Sequence, residues 1–245
     1  MPLSSNSSAW SFDAAFYAER DSQTRPAAHV ILSHLFNLCQ IKSVCDVGCG
    51  VGTWLAAAQD LGAEKVLGFE GPWVAATQME VDPSIVKQQD LEQPIAVDRR
   101  FDLVLSLEVA EHLTSNRGPS LVAELCHLSD VVLFSAAILD QGGTGHKNER
   151  WQSYWANLFD EQGFDTIDAI RPRIWSDASI PWWYRQNILL YVRRETSVAA
   201  KLASAGLTTA SYVDLVHPEL FMHAEKRQPA RALKRMAGRW LGGRR

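Results

Sequence analysis

The run Val44-Cys45-Asp46-Val47-Gly48-Cys49-Gly50-Val51-Gly52-Thr53 places an acid just ahead of three glycines at alternate positions. Glycines let a chain turn tightly and bring backbone N–H groups against a ligand with no Cβ in the way. A carboxylate before such a loop repels a pyrophosphate but suits a ligand carrying an ammonium group. The G-x-G-x-G spacing departs from the G-x-G-x-x-G of dinucleotide sites and points the same way. Asp46, Gly48, Gly50 and Gly52 are therefore candidate cofactor residues. Two further acids stand at expected strand ends. Glu70 falls 24 residues after Asp46, close to the roughly 20 expected for an acid on a ribose diol. Asp90, in Gln89-Asp90-Leu91, sits where an adenine amino group would be met.

Chemistry of this kind needs a frame of alternating strands and helices. Strand patterns run over 43–47, 65–70, 85–89, 101–107 and 131–136, and helical patterns over 52–61, 72–78, 119–128 and 150–162. The nearly uninterrupted apolar runs at 101–107 and 131–136 suit central strands buried on both faces. Such alternation predicts a parallel sheet in right-handed βαβ units. Two more strands, roughly 165–175 and 186–192, follow without an obvious helix between them, so they pair antiparallel. The expected fold is α/β: a Rossmann-like, doubly wound sheet, mostly parallel with an antiparallel last strand. Two N-terminal helices are expected over 12–20 and 26–38, with Pro26 in the first turn of the second. The expected units are an N-terminal segment 1–24, disordered over its Ser-rich first ten residues, a main domain 25–194 and a C-terminal appendage 195–245.

In this frame the chain resembles the class I S-adenosylmethionine-dependent methyltransferases, whose first motif is matched by Asp46-Val47-Gly48-Cys49-Gly50-Val51-Gly52. The resemblance implies that the loop glycines pack on the amino-acid end of S-adenosyl-L-methionine. It implies Glu70 on the ribose hydroxyls, and Asp90 with Leu91 near the adenine. Phe101–Ser106 matches the family's fourth strand, and the resemblance covers about residues 25–193.

The fourth strand leads into Glu108-Val109-Ala110-Glu111-His112. Similar E-x-x-E-H stretches line the cofactor pocket in this superfamily, which adds Glu108 to the cofactor set and Glu111 and His112 to the catalytic one. The alternative is a metal site formed by Glu108, Glu111, His112 and His146, for which manganese, iron or zinc suits imidazole better than magnesium does. Metal-dependent methyltransferases of small-RNA 3′ ends and of quinone rings carry a similar set. After the fifth strand comes Gln141-Gly142-Gly143-Thr144-Gly145-His146-Lys147-Asn148-Glu149-Arg150. His146 is the candidate general base, because an acceptor hydroxyl must lose its proton as it attacks a methyl sulfonium. Asn148 and Glu149 bind substrate or orient His146. Trp182, Trp183 and Tyr184 offer stacking faces to a sugar or aromatic ring, whereas Trp155 and Phe159, four apart, read as core. The stretches around 142–155 and 181–192 resemble methyltransferases of bacterial surface-polysaccharide assembly. That resemblance implies a carbohydrate or other small-molecule acceptor, O-methylated at a sugar hydroxyl of a nucleotide-sugar, glycolipid or glycan.

The net charge of −4 divides into +7 over residues 221–245 and −11 over the rest. An acidic body lacks the basic track that nucleic acid requires. The tail over 229–241 reads as a basic amphipathic helix, offering peripheral contact with an anionic membrane. Four cysteines without zinc or disulfide spacing suit a reducing, cytoplasmic setting, and the N-terminus lacks a secretory pattern. Two rival functions are a nicotinamide-dependent oxidoreductase, which Asp46 and the glycine spacing oppose, and a non-catalytic cofactor-binding module.

Overall fold

A computed structural model describes residues 14–74 and 78–227 of the chain. The Ser-rich start, part of the helix expected over 72–78 and the basic helix expected over 229–241 lie outside these residues. In place of two N-terminal helices there is one, α1 (Ala14–Leu38), with Pro26 in its interior. A proline there removes a backbone donor, at a cost of roughly 3 kcal/mol. Fully buried Ala27, Ala28, Ile31, Leu32 and Leu35 follow it. That apolar stripe packs the helix onto the body and carries it through the proline.

Residues 72–74, the described start of the helix expected over 72–78, form a turn; the other alternating elements appear within two residues of their expected bounds. They are β1 (Ser43–Val47), α2 (Thr53–Asp60), β2 (Lys65–Glu70), β3 (Val86–Gln88), β4 (Leu103–Leu107), α3 (Arg117–Leu128), β5 (Val131–Ser135) and α4 (Gln152–Glu161). The long strand expected over 165–175 is instead β6 (Phe164–Ile167) followed by a short helix, α5 (Arg171–Ile174). A second short helix, α6 (Trp182–Asn187), precedes β7 (Leu189–Arg193). Both helices begin at prolines: Pro172 lies in the first turn of α5, and Pro181 is the N-cap of α6. The ring's fixed φ and missing donor suit those positions. Beyond β7 come α7 (Ser197–Ser204) and α8 (Pro218–Arg227).

The sheet order is β3-β2-β1-β4-β5-β7-β6, with β7 antiparallel to both of its neighbours and the other pairs parallel. Strand order reverses between β1 and β4, the point where open α/β sheets bind ligands. Side-chain alternation divides the core into two layers. Val44, Leu103, Leu105 and Leu133 pack with α1 and α2 on one face. Cys45, Val47, Val104 and Phe134 pack on the other with Trp155 and Phe159 of α4, as expected for those two aromatics. The four cysteines are free and buried, and burial pushes each thiol up, so none is poised as a nucleophile. Among the described residues no helix is long and apolar enough to cross a membrane.

Candidate active site

β1 brings Asp46 between Gly68 of β2 and Leu105 of β4. The chain then turns through Gly48, Gly50 and Gly52 at φ 87°, 55° and 89°. The Gly48 and Cys49 N–H groups donate to the Phe69 carbonyl at 2.9 and 3.1 Å, fastening the loop to the end of β2. Glu70 closes the same corner. Its carboxylate accepts from Gly50 N at 2.7 Å and from Gly71 N at 2.8 Å. Burial pushes the Glu70 carboxyl up, and these N–H groups pull it back.

Asp46 is only 2% exposed, and its Oδ2 is buried with no hydrogen-bond partner among the described residues. Burial, and then the neighbouring Glu70 charge, hold its carboxyl well above the ordinary value. A buried acid in this state is costly by itself, and a cationic ligand group relieves it. Two acids, one of them with a bare buried carboxylate oxygen, beside a glycine loop that lets a ligand approach the backbone closely, form a set that fits S-adenosylmethionine, with its ammonium and ribose diol. At the end of β3, Leu91 is buried and Asp90 is exposed. The Asp90 carboxylate accepts from Glu92 N at 3.0 Å, so it shapes its own turn. Arg117, which no local sequence pattern marks, donates to the Leu91 and Gln93 carbonyls at 2.8 and 3.3 Å and so braces that turn.

On the acceptor side, Glu108 leaves β4 and a 3₁₀ turn covers Ala110–His112. The Glu111 carbonyl accepts from Lys147 N at 2.7 Å and Asn148 N at 3.0 Å, tying this turn to the glycine-rich loop after β5. His146 Nδ1 lies 2.8 Å from Glu149 Oε1, which also accepts from Gly142 N at 2.7 Å. Glu149 thus links His146 to the Gly142 backbone. Gly143 makes room for the ring, since a Cβ there would lie 2.3 Å from His146 Nε2. The rings of His112 and His146 meet edge-on at 5.0 Å, and potential ligand atoms of Glu111, His112 and His146 lie within 4.8 Å of one another. Glu108 is not one of this trio, and its carboxylate accepts from Asn187 Nδ2 at 3.1 Å.

Two expectations are corrected here. Asn148 is 2% exposed and makes structural bonds, donating to the Ala110 carbonyl at 3.4 Å and accepting from Arg150 Nε at 3.0 Å. The Trp182–Tyr184 run does not stand out as an aromatic loop. Its place in α6 buries Trp182 beside Ile138 and Leu220, and Tyr184 edge-on against Trp54 at 5.4 Å. Trp183 alone of the three keeps intermediate exposure. A group of buried amides, Gln141, Gln186 and Asn187, went unnoticed in the sequence. The only hint was a polar pair at the head of an apolar strand.

Residues 18–211 match the family model described as a methyltransferase domain, and the chain belongs to that family. Magnesium protoporphyrin IX methyltransferase from Synechocystis PCC 6803, solved with bound SAH, superposes with a TM-score of 0.52 at 21% identity, over 71% of this chain and 84% of that one. An O-methyltransferase family protein from Burkholderia thailandensis gives a TM-score of 0.54 at 14% identity, over 75% of this chain and 59% of that one. An amino pentose methyltransferase from Micromonospora echinaspora, solved with bound SAM, gives a TM-score of 0.53 at 13% identity, over 74% and 97%. No curated protein sequence matches the chain. S-adenosylmethionine is the cofactor of this fold and family, in keeping with the donor set around Asp46 and Glu70.

Proposed function

We propose that the chain moves the methyl group of S-adenosylmethionine to a hydroxyl oxygen of a carbohydrate, carried on a glycan, a glycolipid or a nucleotide-sugar. The observation that carries this reading is the His146–Glu149 pair, joined at 2.8 Å at the carboxyl end of the sheet. S-adenosylmethionine, when bound, supplies an electrophilic methyl group on a sulfonium. Asp46, Gly48, Gly50, Gly52, Glu70, Asp90, Leu91 and Glu108 would hold it. His146, its Nδ1 engaged by Glu149, presents Nε2 to take the acceptor's proton, and Glu149 stabilises the imidazolium that results. The carbohydrate class draws support from the resemblance of residues 142–155 and 181–192 to methyltransferases of surface-polysaccharide assembly. The fold likeness to an amino pentose methyltransferase accords with it. The test is formation of S-adenosylhomocysteine with a panel of nucleotide-sugars and glycolipids, followed by location of the methyl group in the product. Turnover only on nitrogen nucleophiles or catechols sinks the carbohydrate reading.

A second reading is favoured by one observation, the Glu111–His112–His146 trio within 4.8 Å. Two imidazoles and a carboxylate suit manganese, iron or zinc. Glu149 behind His146 is the carboxylate support that metal-binding histidines use. In this reading Glu111, His112 and His146 would hold the ion, which when bound would supply Lewis acidity toward the acceptor hydroxyl.

A further inference from the structure

Glu108 turns out of β4 at φ 58°, in the left-handed region, where a residue with a side chain is strained by on the order of 1–3 kcal/mol. Strain of this kind persists only where the surroundings over-determine it, and the surroundings of Glu108 do so. Its N–H donates to the Ser135 carbonyl at 2.9 Å. The next residue, Val109, packs on Gly48 of the cofactor loop. Three residues on, Glu111 belongs to the acceptor-side trio. Glu108 thus occupies the seam between the two halves of the site, and it is only 8% exposed.

The Glu108 carboxylate accepts from a side chain that stands just before β7, two strands over from β4. Asn187 Nδ2 donates to Oε1 at 3.1 Å and to Oε2 at 3.4 Å. The orientation of that amide is fixed by its own partners. Its Oδ1 accepts from Gln186 Nε2 at 2.9 Å, which turns Nδ2 toward Glu108 and toward Gln141 Oε1 at 3.1 Å. Gln186 is set in turn by His217, whose backbone N–H donates to Gln186 Oε1 at 2.9 Å. A chain of buried amides therefore runs from the segment before α8 to the carboxylate beside the cofactor loop. Each member is satisfied in one arrangement only, which is what makes such networks rigid.

We propose that Asn187 is a positioning residue: its amide holds the Glu108 carboxylate in the cofactor site, and the segment around His217 sets that amide through Gln186. The inference rests on the methyltransferase reading, because the quantity it controls is affinity for S-adenosylmethionine. Deleting the Asn187 donor removes an anchor from the buried Glu108 carboxylate, and the site loses its shape there.

The test is a double-mutant cycle on the full chain, read by calorimetric titration with S-adenosylmethionine. Asn187→Ala is expected to weaken binding about tenfold, the effect of losing a hydrogen bond to a charged group. In a Glu108→Gln background the same change is expected to matter less than about threefold, since the two residues act as one unit. Should Asn187→Ala fail to fold, Asn187→Asp keeps the shape and sets two carboxylates face to face. It is expected to lose binding with Glu108 present and recover it in combination with Glu108→Gln, where the new amide donates. Equal factors in both backgrounds overturn the inference and leave the methyltransferase reading intact. Absence of binding by the unsubstituted chain overturns both.

Discussion

Val109 Cγ2 stands 2.3 Å from the point a Cβ on Gly48 would occupy. The cofactor loop and the segment bearing Glu108, Glu111 and His112 are therefore interlocked by packing. Glycine at 48 is required twice over, by this approach and by its φ of 87°. Gly48→Ala should lower the unfolding midpoint and abolish S-adenosylmethionine binding. Gly206, at φ 78° with nothing within 4 Å of an added Cβ, is the control. Alanine there should incur only the backbone penalty, roughly 1–2 kcal/mol. Equal melting shifts for the two variants would count against the interlock.

Asp46 makes a pH-dependent prediction. Its carboxyl is raised well above 3.8 in the folded chain by burial and by Glu70, and it returns to the ordinary value on unfolding. Below the unfolded value both states are protonated and carry no penalty. As pH rises through the folded value the penalty grows, and it is complete above it. Asp46→Asn should therefore melt higher than the unsubstituted chain at neutral pH, by about 2–4 °C for each kcal/mol relieved. The gap should close as pH falls toward the unfolded value. The same variant should bind S-adenosylmethionine more weakly, having lost its charge for the ammonium group. A gap independent of pH would show that the acid is not the source.

His146→Ala should reduce turnover by roughly 10²–10⁴-fold while leaving cofactor affinity within a few-fold. Glu149→Gln keeps a hydrogen-bond acceptor for His146 Nδ1 but drops the charge, so its loss should be smaller. Steady-state kinetics alongside calorimetry separates these effects. Unchanged turnover in His146→Ala removes the assignment of the base.

Chelation decides between the two readings of the trio. Treatment with a strong chelator, followed by dialysis, should leave methyl transfer unaffected if His146 acts as a free base. Loss of activity restored by manganese, iron or zinc, and abolished in Glu111→Ala, assigns the trio to an ion.

Phe159 stacks on Tyr191 at a centroid distance of 3.7 Å, and neither ring is more than 1% exposed. Phe159→Ala should cost about 3–5 kcal/mol, measured by denaturant unfolding. The change lies on the α4 side of the sheet, away from the cofactor loop. Affinity for S-adenosylmethionine should persist in whatever fraction remains folded.

Much of the frame was legible from the chain alone, because its signals are local. Strand and helix periods over 43–162, glycines with positive φ at 48, 50 and 52, and acids at the ends of β1 and β2 depend on near neighbours in sequence. So do the cofactor class and the carboxyl-end position of His146. Short helices between β6 and β7 escaped notice because four to six residues carry too little periodicity. Pro26 misled because the packing that carries α1 through it is tertiary. What only the three-dimensional structure decided is how distant side chains are used. Glu149 was available in the sequence, but its grip on His146 depends on the fold of one loop. Glu108 read as a cofactor residue, or alternatively as a metal ligand with Glu111, His112 and His146. Its bond to Asn187, 79 residues away, is something the fold adds. A buried polar group must find a partner wherever the fold supplies one, and no pattern of neighbouring residues records which partner that is.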